Sequence, residues 1–139
     1  MFIRCVALII SLAGLATPSH GAQTLYDDLG GEAGISRIVD GMMEAILADP
    51  RTAPTFEDSN TDRVARLIKE QFCELTGGPC VYSGQTMAKS HRGLKLTTAH
   101  FNALVEGLQS SMDNADVPFT TQNKLLALLA PMHRDVVTQ

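Results

Sequence analysis

The side chains that could do chemistry in this sequence are mainly imidazoles and thioethers. Downstream of residue 21 the three histidines are widely spaced, at His91, His100 and His133. The sequence has no His-Glu-x-x-His or Cys-x-x-Cys motif, no glycine loop that would cradle a phosphate, and no local motif of a Ser, His and acid triad. A set of three methionine thioethers and one imidazole would suit copper, because thioethers are soft ligands: Met42, Met43, Met87 and His91. Residue types alone therefore predict no dedicated catalytic set.

Cys73 and Cys80 are the only cysteines outside the N-terminal segment that holds Cys5. The stretch Gly77-Gly78-Pro79 between them would let the chain turn back and bring their Cα atoms within the ~4.4–6.8 Å that a disulfide needs. The pattern predicts a Cys73–Cys80 disulfide. The alternative is that Cys73 is a small apolar residue on a helix and never meets Cys80.

The first 21 residues have the pattern of a secretory signal. Arg4 precedes an apolar stretch from Cys5 to Thr17, and small residues follow at Ser19 and Gly21. This stretch is shorter than the ~20 apolar residues of a membrane-spanning helix. We therefore expect cleavage after Gly21, a mature domain of residues 22–139, export to the periplasm, and no stable membrane association after cleavage. An uncleaved anchor or a buried first helix is the alternative.

Hydrophobic residues recur at helical spacing in four segments of the mature chain. The first helix is predicted after Gly30-Gly31 and before Pro50, and the second from Asn60 or Thr61 to Gly77. The third is predicted from Thr97-Thr98 to Asp113-Asn114, and the last begins near Thr120 and is kinked or shortened by Pro131. No strong alternating strand pattern appears, so the predicted fold is all-α. The connection from Gly77 to about Lys95 is long, which is typical of a functional loop, and it holds His91.

Length and composition limit the kind of protein. A chain of 139 residues is too short for two cores of ordinary size, which excludes a multidomain enzyme. The formal net charge is −4 and no run of Lys or Arg occurs. Because nucleic-acid binding needs clustered positive charge, we expect no nucleic-acid partner.

From Leu25 to about residue 137 the chain resembles the truncated, two-over-two haemoglobins, specifically those of group 1. The resemblance is carried by short stretches that occur in the family's order: Leu25-Tyr26-Asp27-Asp28-Leu29-Gly30-Gly31, Ile46-Leu47-Ala48-Asp49-Pro50, Phe56, Leu75-Thr76-Gly77-Gly78-Pro79, Tyr82-Ser83-Gly84-Gln85-Thr86-Met87, Ala88-Lys89-Ser90-His91 and Leu94-Lys95-Leu96-Thr97-Thr98-Ala99-His100-Phe101. The resemblance implies a two-over-two helical sandwich around haem b. Glycine pairs at Gly30-Gly31 and Gly77-Gly78 suit the tight turns of such a fold, because glycine allows positive φ.

The resemblance also implies the role of individual residues around the haem. His91 matches the proximal ligand whose Nε2 binds the iron while its other ring nitrogen donates a hydrogen bond. Phe56 matches an aromatic residue that wedges against the haem. Four further residues fall at the haem rim: Phe72, Tyr82, Met87 and Leu94. Lys89 could pair with a propionate, whereas His100 and His133 have no ligand role.

On the distal side the sequence departs from the better-known members. Met43 occupies the position of the usual ligand-stabilising tyrosine. Positions on the next helix that often carry polar residues are occupied by Val64, Leu67 and Ile68. Gln71 is the nearest polar candidate. The resemblance thus implies a mostly apolar distal pocket, in which a methionine thioether could also act as a sixth ligand.

The function implied is binding of diatomic gases, O₂, CO or NO, with an unknown reductant. Whether the protein is also an enzyme, through NO dioxygenase-like or peroxidase-like haem chemistry, stays open. Two alternatives without haem also stay open: an exported helical interaction module, and an exported copper-binding module.

Overall fold

The computed structural model describes residues 21–139, so the predicted signal segment lies outside the described residues except for Gly21. Within residues 21–139 seven α-helices follow in order: α1 (Leu25–Asp28), α2 (Gly31–Ala48), α3 (Thr61–Leu75), α4 (Met87–Ser90), α5 (Thr98–Asn114), α6 (Phe119–Leu129) and α7 (His133–Val136). In the same range, two 3-10 turns lie at Ala53–Phe56 and Ala130–Met132. The part of the chain that the structure describes contains no strand, which confirms the predicted all-α fold. No helix in this part is long and apolar enough to cross a bilayer.

Two of the long helices, α3 and α5, begin at the polar capping residues that the sequence predicts. The side chain of Asn60 accepts a hydrogen bond from the backbone N–H of Arg63 at the start of α3. Thr97 and His100 form a reciprocal capping box at the start of α5. Pro131 ends α6, because the chain changes to a 3-10 turn before the short α7. The four predicted long segments therefore become α2, α3, α5 and α6 with its short continuation.

The core is formed where α2 crosses α5 and α3. Five residues of the predicted stripe on α2 are almost fully buried: Ile35, Ile38, Val39, Met42 and Ile46. On α5, Leu108 and Met112 are equally buried, and the hydroxyl of Ser111 donates a hydrogen bond of 2.6 Å to the carbonyl of Ile38. This buried hydrogen bond fixes α5 against α2.

The two glycine pairs serve their turns in different ways. Gly30, Gly31 and Gly77 have positive φ, as the sequence predicts. Gly78 does not have a positive φ. Its side chain must be absent because a Cβ there would lie 2.6 Å from both the sulfur of Cys73 and the ring of Tyr26. At Gly78 the turn therefore requires glycine for its small size and not for a positive φ.

The end of the chain fastens the segment that follows His91. The carbonyl of Leu96 accepts hydrogen bonds from the N–H groups of Thr138 and Gln139, at 2.9 and 3.1 Å. The N–H of Leu96 in turn donates to the hydroxyl of Thr138 at 3.0 Å. Leu96 is buried, so these bonds fix one wall of the interior at the start of α5.

The predicted disulfide is confirmed. Cys73, in the last turn of α3, is bonded to Cys80 with a Cα–Cα distance of 5.7 Å. The bond closes the turn that leads from α3 toward α4.

Candidate functional site

A cavity of about 490 Å³ lies between α3, α4 and α5. Such a volume is within the ~300–1,000 Å³ typical of sites for small molecules and cofactors. Most of its walls are apolar, and they include Phe56, Val64, Leu67, Ile68, Phe72, Phe101, Leu104, Val105, Leu129 and Val136. Phe101, Leu104 and Val105 are only partly buried although they belong to the apolar stripe of α5. All three line the cavity, and Leu104 also packs against the core.

His91 is the cavity residue best arranged to bind a metal. It is the C-cap residue of α4, and its Nδ1 lies 2.8 Å from the carbonyl oxygen of Met87. A carbonyl can only accept, so Nδ1 carries the proton and Nε2 keeps its lone pair. The hydroxyl of Ser90, 3.1 Å from the same nitrogen, is a second hydrogen-bonding group beside it. The backbone therefore sets the tautomer that a metal ligand requires.

His100 also lines the cavity but has the opposite tautomer. Its Nδ1 accepts a hydrogen bond of 3.2 Å from the backbone N–H of Thr97. In the neutral ring the proton is then on Nε2, which becomes a donor. His100 therefore lacks the free lone pair that His91 offers, unless the capping box opens. His133 packs edge-on against Phe101 and does not line the cavity.

The structure brings eight of the nine sequence-predicted site residues to this cavity: His91, Phe56, Phe72, Tyr82, Met87, Leu94, Val64 and Ile68. The ninth, Met43, is buried at 6% exposure but does not line the cavity, and its neighbour Met42 does. Consecutive residues on a helix point about 100° apart, and of the two methionines it is Met42 that reaches the cavity. The structure therefore places Met42, and not Met43, at the cavity wall, and a contact of Met43 with haem stays a prediction.

Gln71 lines the cavity on α3, where its amide lies close to two methionine sulfurs. Its Nε2 is 3.5 Å from the sulfur of Met87 and 3.9 Å from that of Met132. Sulfur is a weak acceptor. Gln71 is thus held near the backbone segment that orients His91.

A polar edge closes one side of the cavity. Its residues come from the segment before α3 and from the first turn of that helix: Asp58, Ser59, Asn60 and Arg63. Lys89, which could pair with a haem propionate, is exposed and does not line the cavity. Arg63 was not among the residues predicted from the sequence, although it lies one residue before Val64 on the same helix.

Tyr82 forms part of the wall through two hydrogen bonds. Its hydroxyl donates to the carbonyl of Gln85 at 2.9 Å, and its backbone N–H donates to the carboxylate of Glu74 at 3.2 Å. Partial burial raises the pKa of the Tyr82 hydroxyl above its ordinary value. The phenol is therefore neutral and acts as a donor near neutral pH.

The next residue, Ser83, is held by α3 as well. Its hydroxyl and its backbone N–H donate to the carboxylate of Glu70 at 2.6 and 3.0 Å. These hydrogen bonds from Ser83, together with the adjacent Arg66, lower the pKa of Glu70. The ionised carboxylate of Glu70 is thus the anchor for the backbone beside Tyr82.

These residues fit a haem by the chemistry of their side chains. An imidazole with a fixed Nδ1–H and a free Nε2 suits axial coordination of iron. The apolar walls of α3 and α5 suit a porphyrin ring, and the guanidinium of Arg63 with the amide of Asn60 suits its carboxylates. In the part of the chain that the structure describes, no three His, Cys, Asp or Glu side chains form a group that could hold a metal ion.

Comparison with known proteins gives one consistent family. Residues 24–138 match the family described as bacterial-like globin. The chain is 28% identical over 115 residues to a group 1 truncated hemoglobin of Tetrahymena pyriformis, which covers 83% of this chain and 95% of that protein. It is 32% identical over 94 residues to a group 1 truncated hemoglobin of Tetrahymena thermophila, which covers 68% and 78% respectively.

A solved structure agrees with these matches. The crystal structure of truncated hemoglobin from Tetrahymena pyriformis in its Fe(III) form has a TM-score of 0.80 to this chain at 27% identity. The match covers 84% of this chain and all of that one. The predicted truncated-globin fold is therefore confirmed.

Proposed function

The chain belongs to the bacterial-like globin family, and from that premise we propose that residues 22–139 form a haem b protein that binds diatomic gases. The observation that carries the proposal is the hydrogen bond from His91 Nδ1 to the carbonyl of Met87, within an apolar cavity. It leaves Nε2 as the free ligand atom. The haem-free alternatives, an interaction module and a copper module, are not favoured by the family match.

Each wall of the cavity has a role in this proposal. His91 would hold the iron through its Nε2, and Phe56, Phe72, Met87 and Leu94 would enclose the ring. When bound, haem would supply an iron atom that can bind O₂, CO or NO. Val64 and Ile68, on α3, offer no side-chain hydrogen-bond donor to a bound gas, whereas one donor on the same helix, the amide of Gln71, lies beside the sulfur of Met87.

Absorbance spectroscopy tests the proposal. The chain is purified with hemin, and its ferric, ferrous and ferrous-CO spectra are compared with those of His91→Ala. We expect a Soret band that shifts on CO addition and is lost or altered in the variant. A folded, helical wild-type chain that takes up no stoichiometric haem would contradict the proposed function. Copper titration of the same sample would then test the copper module.

We also propose that residues 1–21 are a secretory signal and that the mature domain acts in the periplasm. The support is the sequence pattern: one positive charge, a short apolar stretch and small residues before the cleavage position. Intact mass measurement of the chain recovered from a periplasmic fraction tests this directly. A mass that begins at Ala22 is expected, and an uncleaved chain found only in the cytoplasm would contradict it.

A further inference from the structure

The segment between α3 and α4 contributes Tyr82 to the cavity wall, and α3 holds this segment in two independent ways. The Cys73–Cys80 disulfide ties its start to the last turn of α3. Two carboxylates on the same helix then bind its backbone: Glu74 accepts from the N–H of Tyr82, and Glu70 accepts from the N–H and hydroxyl of Ser83. The covalent tie comes first along the chain, so it fixes where the segment begins.

The turn that this disulfide closes is tightly packed. The N–H of Gly78 donates to the carbonyl of Cys73 at 2.8 Å, and the N–H of Tyr26 donates to the carbonyl of Thr76 at 2.9 Å. Gly78 lies so close to the sulfur of Cys73 that even a Cβ would not fit there. Such packing limits the turn to one path as long as the two sulfurs stay bonded.

The position of this segment affects the proposed haem site directly. Tyr82 lines the cavity, and the chain then runs through Thr86, which caps α4, to Met87. The carbonyl of Met87 sets the tautomer of His91. The disulfide is therefore the covalent attachment at the start of the chain segment that orients the proposed iron ligand.

The two sulfurs differ in access. Cys73 is buried at 3% exposure, whereas Cys80 is partly exposed and is followed by Val81, which is 77% exposed. Thiol–disulfide exchange begins when a thiolate attacks an accessible sulfur. An external thiol would thus reach the sulfur of Cys80 first.

We propose that the Cys73–Cys80 disulfide is a thiol-exchange site that sets how tightly the cavity retains haem. A dithiol reductant attacks the Cys80 sulfur, and Cys73 leaves as a thiolate that takes up a proton. The second thiol of the reductant then attacks the mixed disulfide, which releases Cys80 as a thiol and leaves the reductant as its own disulfide. Two electrons and two protons have passed to the protein, and the wall at Tyr82 is then held by hydrogen bonds alone.

This inference rests on the proposed function, because it concerns haem retention. In the reduced protein we expect haem to dissociate roughly tenfold faster, equivalent to ~1.4 kcal/mol. We also expect the amides of Tyr82 and Ser83 to exchange with solvent faster, with or without haem. The second effect does not depend on haem binding.

The test compares the oxidised full chain, the same chain treated with dithiothreitol, and Cys73→Ala/Cys80→Ala. Haem loss is followed by transfer to an excess of apomyoglobin, at a temperature at which circular dichroism shows all samples folded. Amide exchange is followed by mass spectrometry of peptides that span residues 80–86. Val81→Ala is the matched control, since it changes an exposed side chain of the same segment and leaves the disulfide intact. If the double variant does not fold, the dithiothreitol-treated wild type carries the comparison.

The proposal would be supported by faster haem loss and faster amide exchange in both the dithiothreitol-treated chain and the double variant, with Val81→Ala behaving like the wild type. Equal haem loss in oxidised and reduced samples would overturn it, even if the exchange of residues 80–86 changed. If the oxidised chain takes up no haem, the proposed function is wrong. In that case, amide exchange in residues 80–86 that is unchanged by reduction also overturns the inference. Faster amide exchange after reduction supports control of this segment by the disulfide.

Discussion

At the scale of single residues, the two histidines of the cavity differ in the hydrogen bond that each Nδ1 makes. The Nδ1 of His91 donates to the carbonyl of Met87, and the Nδ1 of His100 accepts from the N–H of Thr97. One ring therefore offers a lone pair at Nε2 and the other offers a proton. Local backbone geometry, and not the residue type, separates the proposed ligand from the residue that caps a helix.

This difference predicts the effect of removing each ring. His91→Ala should weaken haem binding by more than about 100-fold, because the 10–100-fold loss typical of an outer-shell partner is a lower bound for the ligand itself. His100→Gln should leave the iron ligation unchanged, since a glutamine oxygen can still accept from Thr97. Haem titration and ferrous-CO spectra of both variants provide the measurement. Loss of the CO-shifted Soret band in His100→Gln alone would contradict the assignment.

A second prediction concerns Ile68, an apolar residue on the cavity wall of α3. Ile68→Gln should slow O₂ dissociation by roughly tenfold, because one hydrogen bond to a polarised ligand contributes ~1.5 kcal/mol. CO dissociation should change much less. Stopped-flow dissociation of both gases measures the effect, with Ile68→Leu as the apolar control. Equal slowing by leucine and glutamine would show that volume, and not a donor, controls release.

At the scale of elements, the start of α2 depends on contact between backbones. Gly34 is buried in the first turns of this helix, and a Cβ added there would lie only 1.9 Å from the carbonyl oxygen of Leu29. Leu29 is itself buried and follows α1. Because the obstacle is backbone, a change of rotamer cannot relieve it. The position of α1 against α2 therefore requires glycine at this site.

Gly34→Ala should accordingly lower the free energy of unfolding by about 1–3 kcal/mol, the range for forced overpacking. The neighbouring Ala33 is exposed, so Ala33→Ser should change stability by only about 0.5 kcal/mol. Urea denaturation of the two variants, followed by circular dichroism, checks this pair. Equal stability of Gly34→Ala and wild type would mean that α1 shifts away without cost.

At the scale of the whole molecule, several carboxylates link stability to pH. Hydrogen bonds lower the pKa of Glu70 through Ser83, that of Asp49 through Arg51, and that of Asp27 through Thr24. A carboxyl whose pKa is lower in the folded state binds protons more readily when unfolded. Its stabilising contribution is therefore present above the ordinary carboxyl pKa and is lost as the pH falls through the folded-state value.

We therefore expect the unfolding temperature to fall as the pH drops below about 4.3, the ordinary pKa of Glu. Glu70→Gln isolates one contribution, because its side chain stays neutral at every pH. The stability advantage of the wild type over this variant should shrink as the solution becomes more acidic. Thermal denaturation of both proteins from pH 7 to pH 3 measures it. A constant difference across that range would contradict a role for the ionised Glu70.

Local patterns in the sequence predicted the four long helical segments and the candidate iron ligand, but not the short helices α1, α4 and α7. Apolar spacing on α2, α3 and α5, the capping residues Asn60 and Thr97, and the stop at Pro131 are local signals, because each acts within one or two helical turns. The resemblance to truncated haemoglobins predicted His91 as the iron ligand for the same reason, since the motif that contains His91 is short and contiguous. The Cys73–Cys80 pair was also predictable, because a turn of glycines lies between the two residues.

The tertiary structure determines which side chains face the cavity and what their polar atoms contact, and local sequence patterns do not. Met42 lines it and Met43 does not, and one residue of difference on a helix rotates the side chain by about 100°. The amide of Gln71, on α3, lies beside the sulfur of Met87, on α4. Arg63 lies at the polar edge of the cavity, whereas Lys89 does not line the cavity. These outcomes depend on how α3, α4 and α5 pack against one another, because contacts between distant segments are fixed by the relative rotation of whole helices.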